Sequence, residues 1–370
     1  MATEEQVRLA LRDVLDPEIG KPIEDLGMLK AIEVSPEGDV RVDVLLTIAG
    51  CPLRDRINND VTAALAPLEG VRSVEVRLGE MTGDQRETLV TQLRGGQPEQ
   101  QTFFTSGDTE VIAVASGKGG VGKSSVTASL AAAMAAEGQR VGVLDADVWG
   151  FSIPRMLGVS GTPVGFNNMI LPLEAYGVKV ISMGFFVSDE TPVIWRGPML
   201  HKALQQFLGD VYWGDLDVLL VDMPPGTGDV SLSLASFLPS GSMIVVTTPQ
   251  EAASKVAERA GRMAQHPNVQ LKLLGVIENM SGFVCPHCDE ITDLFGSGGG
   301  RATADALGVP VLGTVPMQVS LREGADHGRP VVLDEPDSPA GRALREIAGD
   351  LTQRTKTRVG KSLPLTVAPR

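Results

Sequence analysis

The stretch Ser116-Gly-Lys-Gly-Gly-Val-Gly-Lys-Ser124 limits what this chain can fold into more than any other feature. It satisfies G-x-x-x-x-G-K-[ST] at Gly117, Gly122, Lys123 and Ser124, and it falls between a predicted strand, Val111 to Ala115, and a predicted helix, Ser124 to Glu137. Glycines let successive backbone N–H groups converge on phosphate oxygens, and the helix N-terminus adds positive potential. Lys123 would reach the β/γ-phosphates and the Ser124 hydroxyl would ligate Mg²⁺. A nucleotide-binding stretch is therefore predicted over Gly117, Lys118, Gly119, Gly120, Val121, Gly122, Lys123, Ser124 and Ser125.

Such a loop needs a parallel sheet behind it. From Glu110 onward, apolar, β-branched runs occur at Val111 to Ala115, Val141 to Leu144, Val178 to Ile181, Val218 to Val221, Met243 to Thr247, Leu273 to Ile277 and Val311 to Val315. Helical segments such as Ser124 to Glu137 and Glu251 to Ala264 separate them. Near-continuous apolar strands of this length predict a sheet buried on both faces, hence a doubly wound, mostly parallel α/β domain of the P-loop NTPase kind over residues 110–350. Carboxylates at the C-terminal edge of such a sheet lie beside the loop. Asp145 and Asp147 close one strand and Asp222 another, although a strand-end Asp also serves as a helix N-cap.

Residues 1–95 read as a small α+β unit: an amphipathic helix ending near Asp16-Pro17, strands Met28 to Val34 and Val40 to Ile48, a helix Arg54 to Ala66 and a strand Val71 to Leu78. The polar segment 96–109 reads as a linker, and 351–370 as a basic C-terminal tail. Composition narrows the partners. With 32 Lys+Arg against 46 Asp+Glu the formal charge is −14, and aromatic residues are 4% of the chain. Neither a basic phosphate-contacting face nor a run of base-stacking platforms is expected, so no nucleic-acid partner is predicted. With no apolar run of membrane-spanning length and no secretory h-region, a cytoplasmic protein without a membrane partner is expected.

The extra lysine, Lys118, makes the loop similar to the deviant Walker A family, which includes the MinD/ParA partition ATPases, the nitrogenase iron protein and the Mrp/ApbC-type iron-sulfur carriers. That resemblance implies that Lys118 acts in trans on a partner's phosphates in a nucleotide-sandwich dimer. It further implies that Asp147 orients the attacking water or serves as base, that Asp222 holds Mg²⁺ through water, and that the Gly226 backbone N–H senses the γ-phosphate. Asn279 and the Pro316 region resemble the family's adenine pocket; Asn at a strand end is equally a turn former.

Cys285-Pro-His-Cys288 is a C-x-x-C pair in a predicted loop. One pair supplies two thiolates, whereas tetrahedral zinc or a four-iron cluster takes four ligands. A two-fold dimer supplies the rest from the same residues. A redox dithiol, a shared structural zinc and a bridging iron-sulfur cluster all fit the spacing. The combination with Leu144-Asp-Ala-Asp147-Val-Trp-Gly150, Trp195-Arg-Gly-Pro-Met-Leu200, Asp222 to Asp229 and Glu278-Asn-Met-Ser-Gly-Phe283 resembles an Mrp/ApbC iron-sulfur carrier along Val111 to about Asp350. Phe151 departs from it, since the family usually has Pro there. The N-terminal unit, with Asp16-Pro-Glu-Ile-Gly20, Asp25-Leu-Gly27 and Leu46-Thr-Ile-Ala-Gly-Cys51-Pro52, is similar to the small iron-sulfur assembly domain. That likeness implies that Cys51 contacts a cluster or a target protein, with Asp16 and Glu18 nearby; as a buried or loop cysteine it would be a small hydrophobe.

The resemblance thus implies a homodimeric ATPase that uses ATP and Mg²⁺, bridges a labile cluster of the 4Fe-4S kind between subunits at Cys285 and Cys288, and passes it to apo-proteins; with no other obvious activating finger in the sequence, slow turnover is expected. Two alternatives stand beside it: a MinD/ParA-like nucleotide-switched localisation ATPase, and a dimer with structural zinc at the cysteine pair. A reductase like the nitrogenase iron protein fits less well, because that group uses two widely separated cysteines per chain.

Overall fold

The computed structural model describes residues 2–17, 19–47, 53–93, 109–147, 150–166, 169–186, 197–238, 241–266, 269 and 271–356. Cys51, Glu18, Trp195, the linker 96–108 and the tail beyond 356 lie outside the described residues. The chain divides into two compact units: Met1–Gln101 with Val164–Leu171 and Asp210–Gly214, and Thr102–Pro163 with Pro172–Gly209 and Asp215–Arg370.

In the first unit, helix Glu4–Leu11 begins with a capping box. The Gln6 N–H donates to Thr3 Oγ1 and the Thr3 N–H donates to Gln6 Oε1. The helix ends at Leu11, earlier than the predicted Asp16-Pro17, and the buried Asp16 carboxylate accepts the Ile19 N–H at 2.8 Å, which turns the chain locally. Strands Leu29–Val34 and Asp39–Leu46 pair antiparallel, and Asp39–Leu46 pairs parallel with Ser73–Glu80 after the crossover helix Arg54–Leu65. Gly38 makes the hairpin turn possible, with φ of 90° and a would-be Cβ 2.4 Å from the Gly70 carbonyl oxygen. A further helix, Gly83–Leu93, was not predicted; its polar sequence buries Leu89 and Val90. Two segments beyond residue 95 join this unit because Met169, Leu171 and Tyr212 are buried in its apolar core.

The second unit is built on a nine-stranded sheet in the order Ile291–Thr292, Lys272–Val284, Ser242–Thr247, Glu110–Ser116, Val218–Asp222, Val141–Asp145, Val178–Ser182, Leu173–Ala175, with Val311–Met317 also paired to Lys272–Val284. The seven apolar runs of the sequence are its parallel strands, and Leu173–Ala175 and Ile291–Thr292 add antiparallel edges. Helix Lys123–Ala136 is buried along most of its length, and its run of alanines lets the sheet and helix Pro339–Lys356 approach closely. Among the described residues no helix is long and apolar enough to cross a membrane.

Candidate functional site

The loop from Gly117 to Gly122 joins strand Glu110–Ser116 to helix Lys123–Ala136, as the motif requires. Gly120 and Gly122 hold φ of 79° and 80°, which glycine adopts without a Cβ penalty. Gly117 packs so tightly on helix Glu251–Ala264 that a Cβ would stand 2.3 Å from the Val256 carbonyl carbon.

Beneath the loop, three strand ends carry side chains that meet. Lys123 is 6% exposed, and its Nζ lies 2.6 Å from Asp222 Oδ2 and 3.7 Å from Asp147 Oδ2. Ser124 Oγ donates to Asp222 Oδ2 at 2.5 Å, and Thr127 Oγ1 donates to Asp222 Oδ1 at 2.8 Å. A fully buried carboxylate is thus compensated by one ammonium and two hydroxyls. The Ser124 and Asp222 oxygens converge beside the loop, a donor set of hard oxygens that suits Mg²⁺. Phosphate oxygens entering the loop would compete with Asp222 for the Lys123 ammonium.

Asp145 lies next to Asp222 in the sheet register and is fully buried. Its Oδ1 accepts the Asp147 N–H at 3.2 Å, and its Oδ2 accepts the Ile153 N–H at 3.3 Å and the Ser182 hydroxyl at 3.0 Å. Burial pushes its carboxyl up to about 8, and the neighbouring Asp222 charge adds to the rise. The Lys123 ammonium, the Ser182 hydroxyl and the Asp147 N–H oppose it.

Several predicted residues are engaged in ways the sequence did not indicate. Lys118 Nζ donates to Gln250 Oε1 at 3.1 Å within the same chain. The Gly226 N–H donates to the Ser116 carbonyl at 2.8 Å. Asn279 is 4% exposed and donates its amide to the Val121 carbonyl at 2.9 Å, bracing the phosphate loop from below. Pro316 sits half-buried in strand Val311–Met317. Thr127, Ser182 and Gln250 were missed; for Thr127, its place one turn after Lys123 was the available signal.

The cysteines occupy the tip of a hairpin at the far end of strand Lys272–Val284. The Cys285 N–H donates to the Glu290 carbonyl and the Asp289 N–H donates to the Cys285 carbonyl, both at 3.0 Å, and Asp289 closes the turn with φ of 59°. Cys285 is half-buried and Cys288 exposed, and both are free thiols. The backbone N–H of His287, then the Cys288 thiol and its N–H, hold the Cys285 thiol below its ordinary value, against partial desolvation and the Asp289 charge. Sulfur held by backbone N–H groups is prepared to bind metal as thiolate. Ile291 on the return strand of the hairpin, and Leu294 and Phe295 just after it, are exposed apolar residues.

Residues 108–352 match the family described as NUBPL iron-transfer P-loop NTPase, and residues 4–78 match that of the iron-sulfur cluster assembly protein. A protein of Mycobacterium bovis named iron-sulfur cluster carrier protein is 51% identical over 97% of this chain and 96% of its own length. Its Synechocystis namesake is 42% identical over 94% and 96%. A solved nucleotide-binding protein in complex with ADP, from Archaeoglobus fulgidus, is 37% identical with a TM-score of 0.54, over 63% of this chain and 90% of its own.

Proposed function

This chain belongs to the family of NUBPL-type iron-transfer P-loop NTPases, and from that premise we propose that it carries iron-sulfur clusters and delivers them to apo-proteins in the cytoplasm. The observation that supports this reading most is the reach of one strand. Lys272–Val284 carries Asn279 under the phosphate loop and ends at the exposed Cys285/Cys288 hairpin.

Two thiolates per chain leave a four-iron cluster two ligands short, so a homodimer sharing one 4Fe-4S cluster across its axis completes the set. The cluster is cargo, and a hairpin tip with Cys288 exposed beside the half-buried Cys285 suits release. ATP would bind with its phosphates over Gly117 to Ser125, Mg²⁺ being held by Ser124 and, through water, Asp222. The metal supplies charge neutralisation at the phosphates. Lys123 adds a buried positive charge, and Asp147, 3.7 Å from Lys123, is placed to orient a water for hydrolysis. Lys118 would leave Gln250 and reach the partner's phosphates, the Gly226 N–H would leave Ser116 for the γ-phosphate, and Asn279 with the Pro316 region would face the base. Among the described residues Lys123 and Lys118 are the cations that make bonds beside the loop, both already counted, so slow turnover is expected.

Anaerobic reconstitution with iron and sulfide tests the assignment. Unaltered protein should gain iron-sulfur charge-transfer absorbance. Cys285→Ala should lose the absorbance and keep nucleotide binding, and Lys123→Ala should lose nucleotide binding. Full absorbance in Cys285→Ala would refute the carrier reading at this hairpin.

A further inference from the structure

The loop bearing Asp147 is tied down at both ends by one carboxyl group, and that group is itself held from the neighbouring strand. Asp145 Oδ1 takes the Asp147 N–H and Oδ2 takes the Ile153 N–H. On the other side of the sheet register stands Ser182, the last residue of strand Val178–Ser182, whose hydroxyl donates to Asp145 Oδ2 at 3.0 Å and accepts the Gly184 N–H at 3.0 Å. Gly184 is the residue on which Phe151 rests: a Cβ there would stand 2.4 Å from the Phe151 ring. The absent Cβ at Gly184 makes room for the Phe151 ring. Asp145, Ser182 and Gly184 thus form a chain of bonds running from the hydrolytic loop to the turn Met183–Phe186, with the Phe151 ring packed over its end.

We propose that Ser182 is a positioning residue for nucleotide hydrolysis: through Asp145 it fixes the backbone at Asp147 and Ile153, and so holds the Asp147 carboxylate where it can orient water. The proposal rests on the hydrolytic reading of Asp147 given above. Neither Ser182 nor Gly184 bonds to the phosphate loop, so the network should act on the chemical step more than on binding. Preorganisation makes such a role sensitive, because a displacement of about 1 Å at a catalytic group can cost on the order of a hundredfold in rate.

The test uses the full chain with Ser182→Ala, Ser182→Thr and Phe151→Ala. Two readouts are taken: hydrogen exchange of the peptide spanning 147–153, and ATP hydrolysis over a range of ATP concentrations. Ser182→Ala should speed exchange at the Asp147 and Ile153 amides and lower kcat by about tenfold or more with KM within about twofold. Ser182→Thr, which keeps the hydroxyl, should restore both, and Phe151→Ala should fall between. Unchanged exchange in Ser182→Ala overturns the proposal whether or not the protein hydrolyses ATP. A rise in KM at constant kcat overturns it also, since that is a binding effect. Faster exchange in Ser182→Ala alongside an unaltered protein that binds ATP without hydrolysing it supports the anchor and removes instead the ATPase reading on which its purpose rests.

Discussion

Asp145 illustrates how one buried side chain can set both a pH response and a local geometry. Its carboxyl sits at about 8 in the folded chain, against an ordinary 3.8, chiefly because burial disfavours the charged form. Between those values the folded protein keeps a proton that the unfolded chain has released, so stability must fall as pH rises through that window. Thermal melting of the protein without nucleotide should therefore show a lower Tm at pH 8 than at pH 6, and Asp145→Asn, which cannot ionise, should flatten that slope. An equal slope in the variant would assign the pH response to other groups. The placement of Lys123 and Ser124 at a strand-to-helix junction could be read from sequence because the loop motif is contiguous. The contacts of Ser182 and Gln250 could not, since they exist only once the sheet sets Ser182 beside Asp145 and the start of helix Glu251–Ala264 comes within reach of Lys118. Asn279 was legible as a strand-end amide, but its bond to the Val121 carbonyl depends on how close the two segments pack.

At the scale of elements, the strand Lys272–Val284 separates what patterning reveals from what it hides. The apolar run ends at Ile277, but the strand goes on to Val284, with Asn279 and Phe283 paired to Val311–Met317, Phe283 and Val284 paired to Ile291–Thr292, and an irregular register between Asn279 and Phe283. Polar and glycine residues there carry no periodic signal, and partner strands supply what the residues themselves lack. Asn279 and Cys285 are six residues apart along it, about 20 Å at most for extended chain. Gly282 is the sensitive point: its φ is 138°, and a Cβ would lie 2.7 Å from Ile291 Cγ2 on the facing strand of the cysteine hairpin. Gly282→Ala should distort that hairpin while leaving the phosphate loop intact. Its expected signature is reduced iron retention after reconstitution with unchanged affinity for a fluorescent ATP analogue. Equal losses of both would mean that the strand transmits distortion to the loop.

Charge and exposure set the terms of assembly for the molecule as a whole. A chain of net charge −14 repels its own copies at long range, so association needs short-range attraction strong enough to win. The cysteine hairpin offers such attraction twice over: Ile291 is 61% exposed, Leu294 57% and Phe295 37%, in the stretch of chain that leads away from the thiols. Buried against a second copy, apolar side chains of this size contribute roughly 1.5–3 kcal/mol each before the entropic cost of association is counted. Shared metal would add bonds that the apolar contact alone lacks. Because screening weakens repulsion and leaves apolar attraction in place, cluster-free protein should associate more in high salt than in low. Anaerobic reconstitution should double the mass measured by light scattering even at low salt, and an iron chelator should reverse it. Leu294→Asp should shift the salt-dependent association of cluster-free protein toward monomer, leaving the four sulfurs to hold the reconstituted pair. A reconstituted protein that binds iron at Cys285 and Cys288 and keeps the mass of one chain would contradict the shared-cluster arrangement, because two thiolates cannot by themselves complete a four-iron ligand set.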